Sequence, residues 1–309
     1  MRKRKYLYVS ITILLAGLIS LCVVRWQVWF SMPEEPVWTG DTIDYSFPQP
    51  SNLNHQPAAI LVLGDVHNGL KASDYDSLAS RVPNAELVLQ TGDWMERGQN
   101  YYYQSLLHEW TRSGLYGLPV LATPGNHEYD KAFLSKPLSA VWDHAFSHPH
   151  NGPRDVPGAS YYVDLPQIRL ICIDTNPLIR LVHLTRTLTW LRQTMYGAGK
   201  RYVVVMMHHP VISIAEWRFN PLIFCTFRKA LGEADLVLAG HDHRYMRKSP
   251  FVILNTAGDV KPQNSITRPQ VSSETPVYGV LTADSAQLAF RVYRLDNGQV
   301  IDSMYVKHH

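Results

Sequence analysis

Along the chain, short apolar runs alternate with longer stretches whose apolar residues recur at helical spacing. Ala58 to Gly64 reads as a buried strand that breaks into Gly-Asp-Val-His. Ser73 to Arg81 reads as a helix with Ser73 placed to cap it. Glu86 to Gln90 is a second strand, followed by Thr-Gly-Asp, and Tyr101 to Ser113 is helical. Leu118 to Thr123 is a strand that runs into Pro-Gly-Asn-His-Glu. Ile168 to Ile173 is a strand closed by Asp174, and Leu184 to Tyr196 a helix. Tyr202 to Met207 is a strand closed by His208-His209-Pro210. Leu222 to Leu231 is helical, and Leu236 to Ala239 is a strand closed by Gly-His-Asp-His. The last third is richer in strands: Val252 to Asn255, Tyr278 to Ala283, and Gln287 to Asp302 folding back at Asp296-Asn297-Gly298. Strand–helix alternation followed by hairpins predicts an α/β fold with a mixed second sheet.

The N-terminus has a different pattern. Arg2 to Lys5 precede Tyr6 to Val24, an uncharged run of about nineteen residues, long enough to cross a hydrocarbon core as a helix. Arg25 closes the run, and Trp26, Trp29 and Phe30 suit a membrane interface. The basic cluster before the run outweighs Arg25, which orients the N-terminus to the cytoplasm and the rest of the chain to the extracytoplasmic side of the cell membrane. No small-x-small cleavage site is evident, and Leu21 before Cys22 disfavours a lipid anchor, so a single-pass signal anchor over residues 1–30 is the expectation. Residues 31–57 carry several prolines and read as an extended connector, leaving 58–309 as the folded domain.

Composition refines this picture. With 46% apolar and 18% charged residues the chain is globular. The net charge of +3 is concentrated in the first five residues, so bulk charge gives no support for a nucleic-acid groove. Cys22, Cys172 and Cys225 form no zinc-finger or disulfide pattern, and Cys172 and Cys225 read as buried thiols. The 14 histidines are many for a chain of 309 residues, and they cluster.

Where they cluster carries the chemistry. Asp65 and His67, Asp93, Asn126 and His127, His208, and His241 with His243 all lie just past the C-terminal ends of predicted strands. In an open α/β sheet those ends converge on one edge, where ligands bind. Imidazoles mixed with carboxylates suit divalent transition metals. Alone, the Asp and Asn-His pieces read as turns or helix caps and a histidine pair as a satisfied core group; the conjunction of five is what points to a metal site.

The series Gly-Asp-Val-His, Gly-Asp-Trp-Met-Glu-Arg-Gly, Gly-Asn-His-Glu, His-His-Pro and Gly-His-Asp-His resembles, in order, the five motifs of the calcineurin-like metallophosphoesterase superfamily, over roughly residues 58 to 255. The resemblance implies a four-layer αββα sandwich of two mixed β-sheets. It implies that Asp65, His67 and His243 bind one divalent metal, that Asp93 bridges two, and that Asn126, His208 and His241 complete the second site. Asn126 and His127 would contact the substrate, with His127 offsetting phosphoryl charge and placed to protonate the leaving oxygen. Of the adjacent pair, His208 is the expected ligand and His209 a structural neighbour. Arg97 resembles a phosphate-binding arginine of the protein-phosphatase branch, with a structural salt bridge as the alternative. Purple acid phosphatases carry a tyrosine three residues after the bridging aspartate; here that position is Glu96, so manganese, iron(II) or zinc is expected and an iron–tyrosinate is not.

The implied reaction is hydrolysis of a phosphomono- or phosphodiester by in-line attack of a hydroxide generated between the two metals. Nucleotides and lipid-linked pyrophosphates are competing substrate classes, and a non-catalytic scaffold on the same fold is the rival reading. The Tyr129–Tyr162 region, with His144, His148 and His150, is a candidate lid. Tyr129 and Asn176 are candidate pocket residues.

Overall fold

The first strand of the domain, β1 (Ala59–Leu63), is apolar on both faces and buried throughout. Ile60 and Val62 point into one apolar cluster, and Ala59, Leu61 and Leu63 into another. That double burial requires material on both sides of the sheet. A computed structural model describes residues 36–48, 50, 53, 55–129, 138, 140–146, 148–156, 159–179, 183–212, 221–259 and 269–307. The expected membrane helix over 1–30 lies outside them. Among the described residues no helix is long and apolar enough to cross a membrane.

The strands after β1 are β2 (Ala85–Gln90), β3 (Val120–Ala122), β4 (Tyr161–Asp164), β5 (Ile168–Ile173), β6 (Tyr202–Met207) and β7 (Leu236–Ala239). They continue with β8 (Tyr245–Lys248), β9 (Phe251–Ile253), β10 (Val271–Ser273), β11 (Val277–Ala283), β12 (Gln287–Arg294) and β13 (Val300–Lys307). One sheet has the order β13-β12-β11-β1-β2-β3 and the other β10-β8-β9-β7-β6-β5-β4. Both are mixed. β1, β2 and β3 run parallel while β11 meets β1 antiparallel; β5, β6, β7 and β9 run parallel while β4 and β8 are antiparallel additions.

The helices are α1 (Ala72–Arg81), α2 (Asn100–Trp110), α3 (Ala140–Ala145), α4 (Asn176–Ile179), α5 (Leu184–Tyr196) and α6 (Pro221–Leu231). Side chains of β6 divide by parity. Val204 and Met206 join Ile60, Leu89 and Phe290 between the sheets, whereas Val203, Val205 and Met207 meet Leu191 of α5 and Phe227 of α6. On the other outer face, Leu61 and Val88 meet Tyr75 of α1 and Leu107 and Trp110 of α2. A one-residue slip in any central strand would exchange these clusters, so burial itself fixes the register.

Several local expectations shift. Helix α1 starts at Ala72 with Lys71 as its cap, not Ser73; the Asp74 carboxylate accepts the Lys71 N–H at 2.8 Å and Glu109 accepts that of Ala72 at 3.0 Å. Strands β4, β8 and β10 are three or four residues long and exist through pairing with a neighbour, so no periodicity announced them. Cys172 and Cys225 are both free, but only Cys172 is buried; Cys225 is exposed on α6, which turns Phe227, Ala230 and Leu231 inward. The stretch read as a connector delivers Phe47 into the core, 3% exposed.

One polar clamp joins the two sheets. Asp302 of β13 accepts hydrogen bonds from Arg247 Nε (2.5 Å) and Nη2 (3.1 Å) and from the Tyr245 hydroxyl (2.6 Å), both donors lying on β8. Burial alone would raise the Asp302 carboxyl; bonds from Arg247, Tyr245 and Ser303 outweigh it and hold the group below the ordinary carboxylate range. A depressed folded value adds stability above the unfolded-state value, and that stability is lost as pH falls through the folded one. Asp302→Asn is therefore expected to lower the stability at pH 7 by roughly 1–3 kcal/mol. The difference from wild type should shrink in denaturant titrations taken progressively below pH 4.

Candidate functional site

The polar residues singled out by the sequence are placed by the turns that follow β1, β2, β3, β6 and β7. Those after β1, β2 and β7 are strained. Asp65 (φ 47°), His67 (49°), Asn68 (56°), Asp93 (54°), His241 (73°) and His243 (49°) all occupy the left-handed region. Each costs a non-glycine residue about 1 kcal/mol or more, and such residues gather where function over-determines the backbone. Glycine is required beside them: a Cβ on Gly125 would lie 2.1 Å from Asp93 Oδ1, and Gly92 itself has φ 96°.

The two aspartates are held in the same way. Asp65 Oδ1 accepts the His241 N–H at 2.9 Å, and Asp93 Oδ1 accepts the His127 N–H at 2.9 Å. Asp65 Oδ2 and Asp93 Oδ2 are buried and make no hydrogen bond. Asp93 Oδ2 lies 3.2 Å from His208 Nε2, 3.8 Å from His67 Nε2 and 3.9 Å from His127 Nε2. A buried carboxylate oxygen facing several imidazole nitrogens needs positive charge beside it, from a protonated imidazole or from a metal cation.

The histidines are oriented from behind. His208 Nδ1 donates to Thr91 O (3.0 Å), His243 Nδ1 to Asp259 O (2.6 Å) and His127 Nδ1 to Glu96 O (2.6 Å). Because a carbonyl can only accept, each ring turns Nε2 inward, as outer partners do for metal-binding histidines. His67 Nδ1 lies 3.2 Å from the Glu96 carboxylate. His241 is reversed: its Nδ1 is 3.1 Å from Asn126 Oδ1 and 3.2 Å from His208 Nε2, and Asn126 Oδ1 is also 3.1 Å from His208 Nε2.

Among the described residues three donor groups result, one of them His67 with Glu96 and His127; the other two hold the predicted ligands. Asp65, His67, Asp93 and His243 bring ligand atoms within 4.8 Å of one another, and so do His208, His209 and His241. The Asn126 oxygen belongs beside the second group, and Asp93 Oδ2 lies within 3.8 Å of a nitrogen in each. Imidazole and carboxylate donors in these numbers fit two divalent transition metals. His209 is tied by Nδ1 to Thr175 Oγ1 at 2.7 Å.

The remaining candidates fall elsewhere. Arg97 is half-buried and forms no ion pair among the described residues. Tyr129 donates to Asp174, and Asn176 Nδ2 donates to the carbonyls of Pro124 (3.2 Å) and Gly125 (3.3 Å); both brace the loop that carries Asn126. Of the candidate lid, His144 pairs with Asp44 at 2.8 Å and His148 stacks on Tyr161, so neither joins the imidazole clusters.

Sequence reasoning gave no role to Glu128. Its buried carboxylate accepts four backbone N–H groups, from Asp93 (2.9 Å), Trp94 (2.8 Å), Met95 (3.1 Å) and Gly125 (2.7 Å). It locks the turn after β2 to the loop after β3. Burial, then the nearby Asp93 charge, push this carboxyl up to about 7. Its place directly after His127 was the available signal.

Burial works against a charged His208, but the Asp93 and Asp65 carboxylates overcome it and raise the group to about 9, while the Asp93 carboxyl is held well below its ordinary value. Coordination requires the neutral ring, so metal uptake at pH 7 should release about one proton from His208. The apparent calorimetric enthalpy of manganese binding should then vary with buffer ionisation enthalpy, and less so in His208→Asn.

Residues 58–245 match the profile of the calcineurin-like phosphoesterases. The glycerophosphodiester phosphodiesterase GpdQ of Enterobacter lignolyticus (strain SCF1) is 24% identical over 204 residues, 62% of this chain and 69% of that protein. Among solved structures, purple acid phosphatase PPD1 of yellow lupin (Lupinus luteus) has a TM-score of 0.64 at 13% identity, covering 81% of this chain and 53% of that one. This chain thus spans about half the length of the lupin enzyme. A dimetal phosphatase from Danio rerio has a TM-score of 0.52 at 14% identity, covering 82% of this chain and 100% of that one. GAP50, the anchor in the inner membrane complex of Plasmodium, has a TM-score of 0.56 at 12% identity, covering 81% of this chain and 89% of that one. At such identities the structural likeness speaks for the fold.

Proposed function

The chain belongs to the calcineurin-like phosphoesterase family, and from that premise we propose that it is a binuclear metal-dependent hydrolase of phosphomono- or phosphodiesters. The observation that carries the reading is Asp93 Oδ2, fully buried and facing imidazoles of both donor groups, 3.2 Å from His208 Nε2 and 3.8 Å from His67 Nε2. Asp65, His67, Asp93 and His243 would hold one cation; Asp93, Asn126, His208 and His241 the other. Manganese, iron(II) or zinc suits these donors. Such a pair of cations supplies a water acidic enough to ionise near neutral pH and a Lewis-acid grip on phosphoryl oxygens.

The chain's own groups do the rest. His127, fixed through Nδ1 to Glu96 O, presents Nε2 to the reacting centre, where it offsets phosphoryl charge and can give a proton to the leaving oxygen. Asn126 orients the substrate beside it, and Arg97 is proposed as a phosphate contact. The likeness to a glycerophosphodiester phosphodiesterase makes a diester the first substrate to try. For location, the uncharged run Tyr6–Val24 supports a single-pass anchor with the domain on the extracytoplasmic side of the cell membrane.

Full-length protein, stripped of metal and reloaded with manganese, should turn over bis(4-nitrophenyl) phosphate or 4-nitrophenyl phosphate. Asp93→Asn should abolish turnover, and His127→Ala should lower kcat by about 10²–10⁴. Two bound metals with no turnover would shift the reading to a non-catalytic scaffold, and failure to bind metal would end it. The anchor is checked separately: the protein should stay in the membrane pellet through alkaline carbonate washing, and release into the wash would refute the anchor alone.

A further inference from the structure

Ahead of the family-matched residues 58–245, the chain lays a strap across α2 and α3. Its backbone is gripped by side chains. Gln104, 3% exposed, accepts the Ile43 N–H at 2.7 Å and donates to the Ile43 carbonyl at 3.1 Å. The Tyr103 hydroxyl donates to the Tyr45 carbonyl. Phe47 N donates to Ala145 O at 2.9 Å, and Asp44 meets His144. A spacer needs none of this.

The strap delivers one aromatic ring. Phe47 stacks on Phe146 (4.9 Å, 3°) and meets Trp94 at 5.1 Å and Trp110 at 5.4 Å. Trp94 is fully buried and directly follows Asp93. Its N–H donates to Glu128 at 2.8 Å and its carbonyl accepts the Asn68 N–H at 3.0 Å. The Asp93 carbonyl accepts the N–H groups of Val66 (2.9 Å) and His67 (3.0 Å). Trp94 is therefore the point where packing from the strap reaches three site-bearing turns: those of Asp65–His67, Asp93 and Asn126–Glu128.

We propose that Phe47 is a positioning residue for the metal site: by wedging Trp94 it fixes the strained turns of Asp93 and His67, so residues 42–48 belong to the metal-binding machinery. The inference rests on the metal-site reading above. Its physical basis is that the left-handed turns hold their geometry only while surrounding contacts over-determine them. Emptying the space beside Trp94 lets its backbone shift, because a close-packed wall relaxes into a void.

Full-length wild type, Phe47→Ala, Phe47→Leu and Gln104→Ala separate this from plain core filling. Gln104→Ala loosens the strap at Ile43 without deleting any aromatic ring. Manganese affinity is read by calorimetry well below each variant's melting temperature, alongside the melting temperature of the metal-free protein. Phe47→Ala should weaken manganese binding about tenfold or more, as loss of an outer-shell support does, with Phe47→Leu recovering most of it and Gln104→Ala intermediate. A Phe47→Ala protein that melts lower when metal-free yet binds manganese within about twofold of wild type would overturn the inference and leave the proposed function standing. Should Phe47→Ala not fold, Gln104→Ala decides on the same criterion. A wild type that binds no manganese would sink both.

Discussion

Two carboxylates, Asp65 and Asp93, are buried with only one oxygen of each hydrogen-bonded. Leaving charge in a dry cleft without a partner is among the most costly arrangements a protein can hold. The Asp93 charge keeps His208 protonated, with Nε2 3.2 Å from Asp93 Oδ2, so in the absence of metal an imidazolium offsets part of the Asp93 charge, while Asp65 Oδ2 has no bonded proton. The site therefore stores a demand for cations, and most of what surrounds it serves to keep that demand from collapsing. Glu128 pins four backbone amides, and Asn176 and Asp174 brace the loop that carries Asn126. Main-chain carbonyls aim three of the imidazoles inward.

The fold makes such a site affordable by placing it at strand ends. β1, β2, β6 and β7 are buried on both faces and held in register by three apolar clusters. The turns just beyond them can then be strained without moving. The fixed strands, and not the loops, set the spacing between His208 after β6 and His241 after β7. Short β4, β8 and β10 extend the second sheet, and the Asp302 clamp keeps its β8 region against β13 of the first.

The solved relatives share this architecture at 12–14% identity. At that distance the likeness speaks for the fold alone, and not for a connecting segment ahead of β1. Phe47 lies in such a segment, yet its ring closes the wall behind Trp94. A residue outside the family-matched region can thus bear on the site's geometry through packing alone.

By itself the sequence determined the central strands, the α/β class and the seven residues offered as metal ligands. The strands and the class follow from local period, and the ligand set from five short motifs, one to four residues past strand ends, through their resemblance to the family's. Tertiary structure decided the rest. Cap choice at α1 turned on Asp74 and on Glu109 from another helix, and the short strands exist only because neighbours pair with them. Glu128, Asn176 and Phe47 brace their surroundings mainly through contacts to residues distant in the chain, so their supporting roles were not legible from spacing. The buried or exposed fate of Cys172 and Cys225 followed from which face of strand or helix met the core. Chemistry was legible because ligand types are rare and clustered; support was not, because a carboxylate, an amide or a phenyl ring acquires its role only from what folding brings beside it.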